Sequence, residues 1–186
     1  MPRAITPTLF RPARWSVIAA LLLICLGYFW AFNFSLLPFS VQALRDAGCG
    51  QGLLDARPYY DATAVSQAFA CYGEAGRAVY HVFLLLDTSF ALCYGLGFSF
   101  LLSRLQAALN ATSSRWRVAR LLPLGVALSD VLENISLLYL LASYPVALPA
   151  LASLAGMFTL SKWVLSILSL AALAACYALL LWRRTR

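Results

Sequence analysis

Long apolar segments, separated by short polar stretches, dominate the pattern of this chain. Four of them carry few charges: residues 15–37, 78–102, 121–142 and 149–182. A helix needs about 20 apolar residues to cross the hydrocarbon core of a bilayer. Backbone polar groups in lipid must be satisfied within each segment, which favours helices. The pattern predicts an all-α polytopic membrane protein, an antiparallel bundle of four transmembrane helices, with residues 1–186 as one membrane domain.

The first loop, residues 38–77, is too long for a simple connection between two spans. Residues 40–47 are suited to a short amphipathic turn before the break at residues 48–50. Asp61 stands where a side chain would cap a second short helix over residues 62–71. These signals predict a compact lid on the membrane surface and not a separate domain.

Composition and charge agree with a membrane protein. The chain is 62% hydrophobic and 11% charged, which is too apolar for a soluble domain. Its net charge of +7 suggests nucleic-acid binding at first sight, but the arginines cluster around the predicted spans. Only three lie in the first loop, and the others flank the opposite ends of the spans: Arg3, Arg11, Arg14, Arg104, Arg115, Arg117, Arg120, Arg183, Arg184 and Arg186. By the positive-inside rule we expect both termini in the cytoplasm of a bacterium, the protein in its inner membrane, and no nucleic-acid partner.

Two of the five cysteines, Cys49 and Cys71, lie in the loop that this topology exports. An exported compartment permits disulfides, so we predict a Cys49–Cys71 bond that stabilises the loop by about 3 kcal/mol. Two unpaired thiols remain the alternative, because sequence cannot prove pairing. No two cysteines have the Cys-x-x-Cys spacing of thiol oxidoreductases.

Ionisable residues inside the spans are the main functional signal. Asp87, Asp130, Glu133 and Lys162, the only lysine, all lie within apolar runs. Charges in a membrane are costly and usually face a protein interior or a wet cavity. Counted by helix rise, all four side chains fall at a similar depth. We therefore expect them to gather around one centre.

Helical spacing groups further polar residues with this set. Asp130, Glu133 and Asn134 follow i, i+3, i+4 spacing on the third span, while Arg77 and Tyr94 share a stripe with Asp87 on the second. Three carboxylates and one ammonium sum to −2. Protonation, a bound cation, water entering from outside or Arg77 would each compensate that charge.

Simpler interpretations of the same residues remain open. In one of them, Asp130, Glu133 and Asn134 only hold helices together, paired with Lys162. In another, Lys162, beside Trp163, extends alone to the membrane interface. The three carboxylates suit a hard cation, but no metal-binding motif accompanies them, so we predict no metal site. No cofactor fingerprint is present, and any cofactor remains unknown.

Several motifs carry a family resemblance. They are residues 72–80 (YGEAGRAVY), 86–90 (LDTSF), 94–95 (YG) and 130–134 (DVLEN). This set resembles a group of uncharacterised bacterial four-helix integral membrane proteins. The resemblance covers the second and third spans only. It implies the four-helix architecture and no activity.

The sequence leads to three hypotheses of function. The first is a non-enzymatic membrane module whose acidic pocket binds or passes a small cation, a proton or a lipid headgroup. In it Asp87, Asp130 and Glu133 bind, Lys162 tunes their charge, and Asn134 and Tyr94 donate hydrogen bonds. The second is an intramembrane enzyme acting on a lipid or isoprenoid, with a carboxyl group as general acid or base. The third is an assembly partner of another membrane protein. The lipid bilayer is the expected partner in all three.

Overall fold

The protein is represented here by a computed structural model that describes residues 13–111 and 113–185, except for the side chains at positions 114, 115 and 117. Five arginines used to predict the orientation lie outside the described residues, wholly or in their side chains: Arg3, Arg11, Arg115, Arg117 and Arg186. All regular secondary structure in the described part is helical.

The helices follow the chain as α1 Trp15–Asn33, α2 Val41–Ala47, α3 Ala62–Ala108, α4 Ser114–Ala119, α5 Leu122–Ser143 and α6 Pro149–Arg184. Of these, α1, α3, α5 and α6 are long and apolar enough to cross a membrane. The prediction of an all-α, multi-pass membrane bundle is confirmed.

Two helix boundaries differ from those that the apolar segments predict: the end of the first span and the start of the second. The first span ends at Asn33, because the next residue, Phe34, leaves helical geometry. The second short helix continues into the second span as one long α3, interrupted only at Gly73, where φ is +60°. A positive φ suits glycine, which has no Cβ to clash with the backbone. Asp61 caps α3 by accepting a hydrogen bond from the Ala64 amide at 2.8 Å.

The four long helices do not pack equally closely. Both α5 and α6 pack along each other and against α3, while α1 packs mainly on α3. Gly95 lets α3 and α5 approach, because a Cβ there would collide with Ala127 and lie 3.2 Å from the carbonyl oxygen of Pro123. A cavity remains between α1 and α6, with one wall from each helix.

The first loop covers one end of the bundle. Its buried side chains join those of α3, α5 and α6 in one apolar core, with Leu44, Leu54 and Tyr60 from the loop. Cys49 and Cys71 form the predicted disulfide, with their Cα atoms 5.4 Å apart. That separation is typical of disulfides. The bond ties the loop to the first turns of α3, so the loop is anchored where it meets the bundle.

Candidate functional site: a charged cluster beside a cavity

Lys162 on α6 forms two close ion pairs with α5. Its Nζ lies 2.7 Å from Oε2 of Glu133 and 2.9 Å from Oδ1 of Asp130. The two acids can both reach it because residues three apart share one helix face. Only 12% of the Lys162 side chain is exposed. The lysine is therefore paired with α5, in contrast to the interpretation in which it extends alone to the membrane interface.

Glu133 is fully buried and closed off by the loop. Its Oε1 accepts hydrogen bonds from the hydroxyl groups of Tyr60, at 3.0 Å, and Thr159. Tyr60 reaches this position because the loop backbone lies directly on Gly156 of α6. A Cβ at that glycine would collide with the Tyr60 carbonyl oxygen. The missing side chain of Gly156 thus makes room for the loop.

A second pair of contacts connects α3 with α5. The Asn134 amide donates to Oδ2 of Asp87 at 2.9 Å, and the Tyr94 hydroxyl donates to Oδ2 of Asp130 at 2.7 Å. Asp87, Asp130 and Asn134 are all buried. Buried polar groups are tolerated when hydrogen-bonded, and these contacts supply part of that requirement.

Asp55 adds a fourth carboxylate from the loop. Its Oδ2 lies 4.0 Å from Nζ of Lys162, while its buried Oδ1 has no hydrogen-bond partner among the described residues. Burial raises the pKa of Asp55 above its ordinary value, Lys162 opposes the rise, and Asp130 adds to it. Nearby, the Trp163 indole donates to the Arg57 carbonyl oxygen at 3.0 Å, which also holds this part of the loop against α6.

The cluster forms the polar part of a cavity of about 800 Å³. Asp55, Asp87, Tyr94, Asp130 and Lys162 are its polar wall near the loop. The rest of the wall is mainly apolar and comes from α1, α3, α5 and α6: Leu22, Cys25, Leu26, Phe29, Phe90, Phe98, Pro123, Val126, Trp163, Leu170 and Leu173, with Ser166 and Ser169. Several of these side chains are strongly exposed, including Leu26 at 63% and Leu170 at 60%. The cavity therefore opens sideways, toward the surface that faces lipid.

Most of the residues predicted from the sequence lie together. Asp130, Glu133 and Lys162 are in direct contact, Tyr94 binds Asp130, and Asn134 binds Asp87. Arg77 is engaged elsewhere. Its Nη1 donates to the Phe69 carbonyl oxygen at 3.0 Å, and its guanidinium lies 4.3 Å from the centre of the Tyr144 ring.

Sequence reasoning missed three members of the site: Asp55, Tyr60 and Thr159. Thr159 stands three residues before Lys162 on the same face of α6, and this spacing could have indicated it. The loop residues have no periodic pattern that would place them against α5 and α6. Their positions depend on how the loop folds over the bundle.

Comparison of the chain with family models, curated proteins and solved structures finds no match. In the part of the chain that the structure describes, no group of three or more histidine, cysteine, aspartate and glutamate side chains is arranged to hold a metal ion.

Proposed function

We propose that this membrane protein binds an amphiphile, with the polar headgroup at the charged cluster and an alkyl chain in the cavity between α1 and α6. One observation carries this proposal. A cavity of about 800 Å³ has apolar walls along most of its length and carboxylates with a lysine at one end. Ligand pockets commonly have volumes of roughly 300–1,000 Å³ and combine apolar walls with a few polar groups.

The length of the cavity suits a lipid chain. Its α6 wall runs from Lys162 to Leu173, which is about 17 Å at a rise of 1.5 Å per residue. One leaflet occupies about half of a 30 Å hydrocarbon core. A chain lying along α6 would therefore extend across a distance similar to one leaflet, and the sideways opening would let it enter from the bilayer.

Helix association alone accounts for less of the arrangement. The contacts of Lys162 with Glu133 and Asp130 would hold α5 against α6 without any cavity beside them. Asp55 and Asp87, however, also line the cavity. Carboxylates that line an otherwise apolar space are costly unless a ligand, water or protons compensate them. Binding explains both the cluster and the space.

The proposal is tested by filling the cavity. Ser166→Leu places a branched side chain in the cavity wall, whereas Ser161→Leu makes the same change at an exposed position of α6 that does not line it. Each protein, purified in a maltoside detergent, is titrated with hexadecylamine, hexadecanol and hexadecanoate, and native mass spectrometry counts the bound molecules. We expect wild type and Ser161→Leu to bind at least one of these probes at one saturable site and Ser166→Leu to bind it much more weakly. Equal binding by all three proteins, or none by wild type, contradicts the proposal.

The proposed location is a bacterial inner membrane, with both termini in the cytoplasm and the first loop in the periplasm. The arginine distribution supports this orientation. The loop disulfide adds support, because such bonds persist in oxidising compartments. Alkaline phosphatase fused after residue 55 should be active in the bacterium, and the same enzyme fused after residue 185 should be inactive. The reverse result contradicts the orientation.

A further inference from the structure

We infer that the headgroup bound at this site is a primary ammonium, so that the ligand is a long-chain amine or an amine-bearing lipid. This inference rests on the proposed function and specifies the chemistry of the same site. It depends on two observations: which charges of the cluster are already neutralised, and which polar atoms still lack a partner.

The lysine is already used by the protein. Its ammonium is in contact with Glu133 and Asp130 at 2.7 and 2.9 Å and has Asp55 at 4.0 Å. An ammonium has three donors, and these three carboxylates surround it. An anionic headgroup would have to displace one of them. Lys162 is therefore poorly placed to receive a phosphate or carboxylate.

The acceptors, by contrast, are in excess. Four carboxylates, those of Asp55, Asp87, Asp130 and Glu133, accompany one lysine, a formal charge of −3 when all are ionised. The buried Oδ1 of Asp55 has no hydrogen-bond partner among the described residues, and Asp55 lines the cavity. Asp87 is 6% exposed and also lines the cavity, with Asn134 donating to its Oδ2. An unpartnered acceptor and surplus negative charge favour a cationic donor over an anionic or neutral headgroup.

A primary ammonium meets both requirements. It carries one positive charge and three N–H donors, so it can bind Asp55 and Asp87 together. Aromatic rings attract cations, and Phe90, Tyr94 and Trp163 belong to the same wall. A metal ion is a poorer fit, since in the described part of the chain no three acidic side chains are arranged to hold one. The attached alkyl chain would occupy the apolar remainder of the cavity.

The test compares two probes that differ only in the headgroup. Hexadecylamine and hexadecanol are titrated into wild-type protein in maltoside micelles at pH 7, where the amine is charged. Native mass spectrometry measures both affinities, and Ser166→Leu serves as the correction for binding outside the cavity. Charge-assisted hydrogen bonds predict that the amine binds roughly tenfold to hundredfold more tightly than the alcohol.

Asp55→Asn then tests the proposed contact, with Asp46→Asn as the same substitution at an exposed position of α2. Asp55→Asn should weaken hexadecylamine binding about tenfold or more and leave hexadecanol binding unchanged, whereas Asp46→Asn should change neither. If the amine and the alcohol bind equally to wild type, protons balance the charge and the ammonium inference is wrong, although amphiphile binding stands. If wild type binds none of hexadecylamine, hexadecanol and hexadecanoate, the proposed function fails as well. The comparison in wild type decides the question even if Asp55→Asn does not fold.

Discussion

Replacing Lys162 by methionine is the most direct perturbation of the cluster. Methionine keeps much of the length of the lysine side chain but removes the charge that Glu133 and Asp130 contact at 2.7 and 2.9 Å. Both acids are at least nine-tenths buried, so water screens the lost interaction only weakly. We expect Lys162→Met to destabilise the protein.

The size of this effect follows from the burial. Removing one partner of a buried ion pair leaves an uncompensated charge and costs about 3–5 kcal/mol. For a chain of this size each kcal/mol lowers the melting temperature by about 2–4 °C, so a decrease on the order of 10 °C is expected. Combining Glu133→Gln with Lys162→Met should recover about 1–3 kcal/mol of the lost stability, because the second substitution removes a carboxylate that has lost its lysine. Protonation of that carboxylate in the single variant would reduce the recovery toward the lower value.

The measurement is unfolding of purified protein in maltoside micelles, by heat and by titration with dodecyl sulfate, followed by tryptophan fluorescence. Arg184→Met, at an exposed position near the end of α6, is the control for loss of a basic residue. The expected order of stability is wild type and Arg184→Met, then the double variant, then Lys162→Met. A Lys162→Met protein as stable as the control, or a double variant less stable than the single one, would refute the view that the ion pairs hold α5 against α6.

Three further predictions concern the loop over the cluster. Gly156→Ala should displace the loop and lower the melting temperature by several degrees, while Gly27→Ala, which meets no atom within 4 Å, should not; equal effects in the two variants would contradict this packing. Reducing the Cys49–Cys71 bond should cost about 2–4 kcal/mol, measured as a shift of the unfolding midpoint with dithiothreitol, and no shift would show that the bond does not stabilise the fold. Because burial raises the pKa of Asp55, the folded loop binds this proton more tightly than the unfolded chain. The contribution of Asp55 to the free energy of unfolding should therefore be greatest below the ordinary aspartate pKa of about 4 and should decrease as pH rises through the raised pKa. In Asp55→Asn this pH-dependent decrease should be absent from the unfolding midpoints measured across the same pH range; if it persists, Asp55 is not its cause.

Local patterns were sufficient to predict the architecture of the bundle. Span length and apolarity predicted four helices, and Asp61 before the second loop helix predicted its cap. The acidic side chains of α5 could be grouped because residues three and four apart share a helix face. Their partner Lys162 was found by its rarity, since it is the only lysine in the chain.

The remaining features depend on tertiary packing, which local patterns do not encode. Asp55 and Tyr60 are polar or amphipathic residues in an irregular loop, where no period relates them to α5 or α6. The cavity arises because α1 packs mainly on α3, and the apolar sequence of α1 would suit a closed bundle equally well. Arg77 was grouped with Asp87 by spacing, but it donates to the carbonyl oxygen of Phe69.

Two carboxylates of the cluster, Glu133 and Asp55, differ in their contacts. Glu133 is fully buried, accepts from Tyr60 and Thr159, contacts Lys162, and is not part of the cavity wall. Asp55 lines the cavity and keeps one oxygen without a partner among the described residues. A carboxylate paired with Lys162 at 2.7 Å contributes to folding, whereas one that lines the cavity and lies 4.0 Å from that ammonium is available to a ligand. Glu133→Gln should therefore change stability more than amine binding, and Asp55→Asn should change amine binding more than stability.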